Sequence, residues 1–301
     1  MGKKIPFISI NGCKTKFSEN ILLRSILKTG VDFQDAVRII NSVENQISGR
    51  KSMDAEELFE ITRKALLETK GQKFARRYSA WHKYNLLRRK GKAPSLQILV
   101  GGSPAVGKSV SITDIGFRLA ISRTMTTDAI RRVLKVVIMD NPVLHLPSYR
   151  VWKKLPTRDK IKNREVEGFI KQVEFLRPFV EEIIIKSIKD GKDIAIEGVH
   201  VVPWILPEEL EKKKNVIFAL LRAPERKVYR EMFFSKRLRE GVANKKAVEE
   251  DFKVCLKIDR FLVKEAKKRK LPIIKVGSVG QVVRDLLEII NSRIQEIVNS
   301  F

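Results

Sequence analysis

The first 92 residues carry two short strand-like runs followed by four helix-like runs. The strand-like runs flank Asn11-Gly12, a pair typical of a hairpin turn. Apolar residues at helical spacing predict helices over 18–30, 32–48, 52–71 and 74–89. Ser52, with Glu56 nearby, has the pattern of a capping box. We therefore expect residues 1–92 to form a small, mostly helical domain with a β-hairpin.

The pattern changes after Lys90–Ser95, a segment whose Gly and Pro content is typical of a linker. Short apolar runs then alternate with helical patterns up to the end of the chain. The run 166–191 predicts one long helix or two. The predicted strands cover 96–102, 122–126, 192–198, 214–223 and 271–277. Such alternation predicts an α/β domain over residues 93–301, with a mainly parallel sheet flanked by helices.

The composition of the chain limits the cellular compartment and the kinds of partner that we expect for it. The 301 residues include two cysteines, so we expect a reducing compartment and no disulfide framework. No apolar stretch approaches the roughly 20 residues of a membrane helix, and the first apolar run is too short for a signal peptide, so we expect a cytoplasmic protein. The net charge of +26 favours anionic partners such as phosphorylated metabolites or nucleic acid, although a solvated basic surface is the alternative.

The segment "GSPAVGKS" fits the phosphate-binding pattern G-x-x-x-x-G-K-[ST] between a predicted strand and a predicted helix. Backbone amides of such a loop and the helix N-terminus face a phosphate, the lysine reaches the β- and γ-phosphates, and the serine binds Mg²⁺. The sequence thus predicts binding of ATP with Mg²⁺. The residues assigned to it are Gly102, Ser103, Pro104, Ala105, Val106, Gly107, Lys108 and Ser109.

Two acidic positions follow the loop. Asp128 begins the helix after the strand 122–126, with Arg131 one turn on, so a carboxylate there can hold an acceptor hydroxyl. The alternative is an Asp that only caps the helix. Glu197 ends an apolar strand, where an acid orders Mg²⁺ through water, and Asp140 is its rival.

The segment "ERKVYREMFFSKRLREG" places a basic helix just after a predicted strand. Such a helix can close over phosphates, and we assign Arg237 to this lid. The alternative is an ordinary solvated helix face.

Six motifs spread over residues 96–240 resemble archaeal 2-phosphoglycerate kinases. They are "VGGSPAVGKS", "TTDAIRRV", "LHLPSYRVW", "EGFIKQV", "IEGVHVVPW" and "FFSKR". The chain before the linker resembles an ATP-cone, a small nucleotide-binding regulatory module, through "ING", "LLRSILKTG" and "ARRYSAWHKY".

The resemblance implies a P-loop kinase that converts ATP and 2-phosphoglycerate into ADP and 2,3-bisphosphoglycerate, the precursor of the cyclic 2,3-bisphosphoglycerate. It implies a small anionic substrate and no membrane partner. Two alternatives stay open: a P-loop kinase acting on another phosphorylated molecule or on nucleic acid, and a non-catalytic nucleotide sensor. The implied roles are catalysis for Lys108, Asp128 and Arg237, metal binding for Ser109 and Glu197, and substrate binding for Arg131, His145, Tyr149 and His200. A lone histidine is otherwise often structural.

Overall fold

The computed structural model describes residues 6–10, 13–155 and 163–301, and the predicted Asn11-Gly12 turn lies outside them. The described chain forms two compact units. The first contains the residues up to Ala93 together with Phe117–Ala120 and Ile290–Phe301. The second contains Pro94–Gly116 and Ile121–Ile289.

Among the described residues up to Ala93, the first unit combines a small sheet with four helices. Its elements are β1 (Phe7–Ile10), β2 (Cys13–Lys16), α1 (Glu19–Leu27), α2 (Phe33–Ile47), β3 (Ser52–Asp54), α3 (Ala55–Lys70) and α4 (Gln72–Arg89). The strand order is β2-β1-β3, with β1 antiparallel to β2 and parallel to β3. Apolar faces of the helices meet in one core that includes the fully buried Ile26, Ile39 and Leu66.

The C-terminal residues complete this first unit. The indole Nε1 of Trp81 donates to Asn291 Oδ1 at 2.9 Å, and the amide of Asn291 donates to the carbonyl of Lys28 at 3.0 Å. Residues more than 200 positions apart in the chain are thereby joined within one unit. This long-range link has no signal in local sequence patterns.

The predicted capping box at Ser52 is wrong. Ser52 pairs with Phe7 in the parallel β1–β3 ladder, so its backbone is extended and α3 begins three residues later. The N-cap is Asp54, whose Oδ1 accepts a hydrogen bond from the Glu56 amide at 3.3 Å. Pairing with a distant strand has overridden the local capping pattern.

The second unit is an α/β layer structure. Its elements are β4 (Gln97–Gly102), α5 (Lys108–Leu119), β5 (Thr124–Thr126), α6 (Thr127–Val137), α7 (Pro142–His145), a 3₁₀ turn (Val151–Lys154), α8 (Arg164–Lys189), β6 (Ile194–Gly198), α9 (Glu208–Glu211), β7 (Val216–Arg222), α10 (Arg226–Arg239), α11 (Lys245–Lys268), β8 (Ile273–Lys275) and α12 (Val279–Val298). The last residues of α5, from Phe117, and of α12, from Ile290, belong to the first unit. The five strands of the second unit are all parallel in the order β5-β6-β4-β7-β8, which confirms the predicted fold class.

Burial explains the apolar runs that predicted the strands. Every residue of β4 and β6 is buried, as expected for central parallel strands covered on both faces. The run 166–191 forms a single helix, α8, with Pro178 inside it. None of the described helices is long and apolar enough to cross a membrane. Because all five strands run in parallel, their carboxyl ends meet at one edge of the sheet, where ligand sites of such folds lie.

The capping contact can be tested with a matched pair of variants. Asp54→Ala removes the side chain that accepts the Glu56 amide hydrogen bond and should lower the free energy of unfolding by about 1 kcal/mol. Ser52→Ala, at an exposed position in β3, should leave it nearly unchanged. Urea denaturation followed by circular dichroism measures both; the reverse order of losses would restore Ser52 as the cap.

Candidate functional site

The loop between β4 and α5 folds the predicted phosphate-binding residues into one tight turn. Gly107 has a φ of +83° and Ala105 a φ of +65°, in the left-handed region that favours glycine. The ammonium of the buried Lys108 donates to the Ser103 carbonyl at 2.7 Å. Burial lowers the pKa of Lys108 to about 8, so an anion bound in this turn would stabilise the charged ammonium.

Two buried side chains from distant helices hold the loop in shape. The hydroxyl of Tyr229, on α10, donates to the Pro104 carbonyl at 2.9 Å. The carboxylate of Asp259, on α11, accepts hydrogen bonds from Ser103 Oγ at 3.3 Å and from the Ala223 amide at 2.9 Å. Burial raises the pKa of Asp259. The loop is therefore fixed by the fold before any ligand binds.

The acid at the end of β6 lies directly beside the loop. Pairing of β4 with β6 sets Val100 opposite Glu197, and Ser109 Oγ donates to Glu197 Oε1 at 2.7 Å. A hydroxyl and a carboxylate next to phosphates are the oxygen ligands that Mg²⁺ takes in nucleotide sites, usually with water completing the shell. No group of three or more His, Cys, Asp or Glu side chains among the described residues could hold a metal. Asp140, the rival acid, is exposed beyond α6.

Asp128 does not cap α6. The N-cap is Thr126, whose hydroxyl accepts a hydrogen bond from the Ala129 amide at 3.0 Å. Asp128 lies two residues further on. Its Oδ1 accepts a hydrogen bond from Arg131, and its Oδ2 forms an ion pair with Arg132 at 3.0 Å. Partial burial acts to raise the pKa of Asp128, but the hydrogen bond and charge of the arginines outweigh it and lower the pKa. The side chain is thus a carboxylate at neutral pH.

Arg131 is turned toward this carboxylate. Its Nε and Nη2 atoms donate to Asp128 Oδ1 at 2.9 and 2.8 Å, and its Nη1 donates to the Leu144 carbonyl at 2.6 Å. The Arg131 side chain is 10% exposed. These contacts fix the Asp128 carboxylate and occupy all three guanidinium nitrogens of Arg131, for which the resemblance implied substrate binding.

These groups surround one cavity of about 530 Å³ at the carboxyl edge of the sheet. Its ionisable lining carries more cations than acids, which favours an anionic occupant. The cations are Lys108, Arg131, Arg132, Lys236 and Arg237, and the acids are Asp128, Glu197 and Glu240.

Arg237 and Tyr149 form one wall of this cavity. The Arg237 guanidinium packs over the Tyr149 ring at 5.9 Å and donates to Glu240 at 2.7 Å, while its buried Nε has no hydrogen-bond partner. Asp251 lies 3.9 Å from the same guanidinium and binds Arg150 through both carboxylate oxygens. The unpartnered Nε is a donor that a substrate oxygen could satisfy.

The two predicted histidines have different surroundings. His200 lines the cavity but is only 1% exposed. His145 is exposed at the end of α7, hydrogen-bonds the Met139 carbonyl at 2.8 Å, and does not line the cavity. The structure thus brings His200, but not His145, to the predicted site.

The sequence analysis missed the buried residues that contact the phosphate-binding loop and Arg237. Asp251 and Asp259 stand on the buried stripe of α11, among Phe252 and Leu262. A charged residue at an apolar helical position is the signal that could have found them. Tyr229 had no such signal, because a tyrosine suits either the core or the surface.

A second cavity, of about 660 Å³, lies beside the loop and α10. It shares Lys108, Ser109, Lys236 and Glu240 with the first. The two cavities therefore meet at the loop lysine and the serine that follows it. A ligand in either cavity would therefore lie against the same lysine and serine.

Comparison with curated proteins identifies relatives over nearly the whole chain. The 2-phosphoglycerate kinase of Pyrococcus furiosus is 30% identical over 287 residues, covering 94% of this chain and 91% of the relative. That of Pyrococcus horikoshii is also 30% identical, covering 94% and 92%. That of Methanopyrus kandleri is 28% identical, covering 92% and 84%. No family model matches the chain.

A solved gluconokinase from Sinorhizobium meliloti 1021 matches 69% of this chain with 10% sequence identity and a TM-score of 0.37. Similarity at this level does not inform the site.

Close packing at the end of β6 gives a testable consequence. A Cβ added at Gly198, whose φ is +156°, would lie 1.8 Å from Thr127 Oγ1, whereas at Gly191, with a φ of +62°, it would meet no atom within 4 Å. Both alanine variants should be strained by positive φ, but Gly198→Ala should lose a further 1–3 kcal/mol, roughly, from overpacking. Urea denaturation compares them, and equal losses would contradict the close approach of Thr127.

Proposed function

Because the chain belongs to the 2-phosphoglycerate kinase family, we propose that it transfers the γ-phosphoryl group of ATP to the free hydroxyl of 2-phosphoglycerate. The product is 2,3-bisphosphoglycerate, from which the cyclic compound can be made by a later reaction. The observation that carries this proposal is the meeting of two cavities at Lys108 and Ser109. ATP occupies the cavity beside the loop and α10, and the acceptor occupies the cavity at the carboxyl edge of the sheet.

The loop residues hold the phosphates of ATP. Backbone amides of the loop and the N-terminus of α5 bind the phosphate oxygens, and Lys108 leaves the Ser103 carbonyl for the β- and γ-phosphates. Ser109 and Glu197 would hold Mg²⁺, since their oxygens already lie 2.7 Å apart at the loop. When bound, Mg²⁺ neutralises charge on the phosphate oxygens.

Asp128 orients the acceptor. Its lowered pKa keeps it a carboxylate that accepts a hydrogen bond from the C3 hydroxyl and directs the oxygen toward the γ-phosphoryl group. Arg131 keeps that carboxylate in place. Catalysis is then mostly positioning and charge neutralisation, as in other phosphoryl transfers.

The remaining cations of the cavity recognise the substrate anions. Arg237, with its unpartnered Nε, and Lys236 face the cavity from α10, and Arg132 faces it from α6. A phosphate and a carboxylate on adjacent carbons need two such cationic positions. The Tyr149 ring, 5.9 Å from the Arg237 guanidinium, helps to hold that side chain at the cavity.

For the first unit we propose a regulatory role in nucleotide binding. Its support is the resemblance of residues 1–92 to an ATP-cone, with a β1–β2 hairpin followed by helices.

A coupled ADP-release screen against small phosphorylated acids tests the proposed reaction. Turnover should be fastest with 2-phosphoglycerate, slower with 3-phosphoglycerate and absent with phosphoenolpyruvate, which has no free hydroxyl. Turnover with none of them, despite ATP binding, would favour a nucleotide sensor. Binding to DNA or RNA that weakens steeply with salt would favour a nucleic-acid kinase.

Lys108→Ala should abolish turnover and leave the fold intact. Removing the ammonium from the transferring phosphate typically costs several kcal/mol in the transition state, or more than about 100-fold in kcat. Lys245→Ala, at an exposed position on α11, is the control and should behave as wild type. Initial rates with circular dichroism measure the effect; an active Lys108→Ala protein would remove the loop from the mechanism.

Asp128→Asn should lower kcat about 100-fold with little change in the KM for 2-phosphoglycerate. The reason is that the asparagine amide has one accepting oxygen, whereas the carboxylate has two. Arg131→Lys should show a similar loss of kcat, since lysine cannot replace the Nε and Nη2 contacts. Asp140→Asn, on an exposed acid outside the cavity, serves as the control. Wild-type kcat in Asp128→Asn would end its assigned role.

A further inference from the structure

Three buried polar side chains from three different elements form a continuous chain beside Asp128. Gln172 on α8 is fully buried, His200 after β6 is 1% exposed, and Thr127 at the start of α6 is fully buried. His200 Nε2 lies 2.8 Å from Gln172 Oε1, and His200 Nδ1 lies 3.0 Å from Thr127 Oγ1. The proposed function gives Gln172 and Thr127 no role.

The partners of Gln172 set the direction of every hydrogen bond in this chain. Its amide nitrogen donates to the carbonyls of Val143 at 2.5 Å and Leu146 at 3.0 Å, and carbonyls only accept. Its Oε1 is therefore an acceptor, so His200 Nε2 carries the proton. Nδ1 of a neutral imidazole is then an acceptor, and the Thr127 hydroxyl donates to it.

The surroundings keep the imidazole neutral. Burial is the main cause that lowers the pKa of His200 to about 3, and Arg131 from α6 and Lys108 from α5 act in the same direction. Only Asp128, also on α6, opposes them. A group held neutral in this way offers no positive charge to a phosphate and no proton to a leaving group near neutral pH.

These hydrogen bonds also link the start of α6, next to Asp128, to residues 143–146. Gln172 binds the backbone of Val143 and Leu146, and Arg131 binds the carbonyl of Leu144 between them while holding Asp128. Thr127, the residue before Asp128, is tied to the same segment through His200 and Gln172. Two independent paths thus fix the first turn of α6 to residues 143–146.

We propose that Gln172, His200 and Thr127 are positioning residues that fix the first turn of α6, and with it Asp128, through a one-directional chain of hydrogen bonds. His200 acts as a neutral Nε2–H imidazole and makes no charged contact with substrate. The kinetic consequence rests on the proposed function, whereas the tautomer does not. This assignment replaces the substrate-binding role that the sequence suggested for His200.

Nitrogen-15 NMR of histidine-labelled protein tests the tautomer directly. The chain has three histidines, so the signals of His200 are those that disappear in His200→Gln. We expect Nε2 protonated, Nδ1 unprotonated, and both shifts unchanged between pH 5 and 8. Titration of His200 within that range, or a proton on Nδ1, would overturn the proposal.

Kinetics of matched variants test the positioning role. His200→Gln keeps an acceptor for Thr127 and a donor for Gln172, so it should retain most of kcat, whereas His200→Ala should lose about 100-fold in kcat with an unchanged KM for ATP. Equal losses in the two variants would overturn the proposal. Glu174→Gln, on the exposed side of α8, is the control.

A second pair of variants, at Thr127, tests the same hydrogen bonds in case the His200 variants misfold. Thr127→Ser keeps the donating hydroxyl and should retain most of kcat, while Thr127→Val should lose it and release His200 Nδ1 from its partner in the NMR spectrum. Equal kcat in the two would overturn the proposal. If the wild-type protein phosphorylates no acid, the proposed function fails. The His200 tautomer and the Thr127→Val spectrum would still show whether Thr127, His200 and Gln172 are linked by these hydrogen bonds.

Discussion

The parallel register of β4 with its two neighbours sets the position of everything else in the site. β4 is the central strand, and the phosphate-binding loop begins where it ends. On one side, β6 ends beside it with Glu197 against Ser109. On the other side, β7 leads into Ala223, whose amide binds the same Asp259 carboxylate that holds Ser103. A shift of β6 by one residue would turn the Glu197 side chain to the opposite face of the sheet, and a shift of β7 would move the Ala223 amide away from Asp259.

Electrostatics around this edge explain why the site suits an anion. A bound phosphate would stabilise the charged ammonium of the buried Lys108. The buried Nε of Arg237 has no hydrogen-bond partner in the structure. Arg131 and Arg132 outweigh the effect of burial and lower the pKa of Asp128. These charges act at short range in a partly closed cavity, where they are screened less than on the surface. The protein therefore supplies fixed charges in fixed positions, which is what phosphoryl transfer requires.

The sequence predicted the features that depend on local pattern and failed on those that depend on distant partners. The loop and Glu197 were predictable, because each follows an apolar strand and parallel strands end at a common edge. The cap of α6 was not, since Thr126 and Asp128 are both good capping residues and only the folded geometry selects between them. Ser52 lost its capping role to strand pairing with Phe7, 45 positions earlier in the chain. Gln172 and His200 belonged to recognisable motifs, but their contact joins residues 28 positions apart.

We propose that this site moves a phosphoryl group from ATP to the hydroxyl of 2-phosphoglycerate. Phosphorus-31 NMR of the purified protein with ATP, Mg²⁺ and 2-phosphoglycerate tests it most directly, because it follows every phosphorus atom in the mixture. We expect the γ-phosphate signal of ATP to decrease while ADP appears and 2,3-bisphosphoglycerate gives two phosphoester signals of equal intensity. Appearance of ADP with inorganic phosphate in place of the second phosphoester, or an unchanged spectrum, would contradict it.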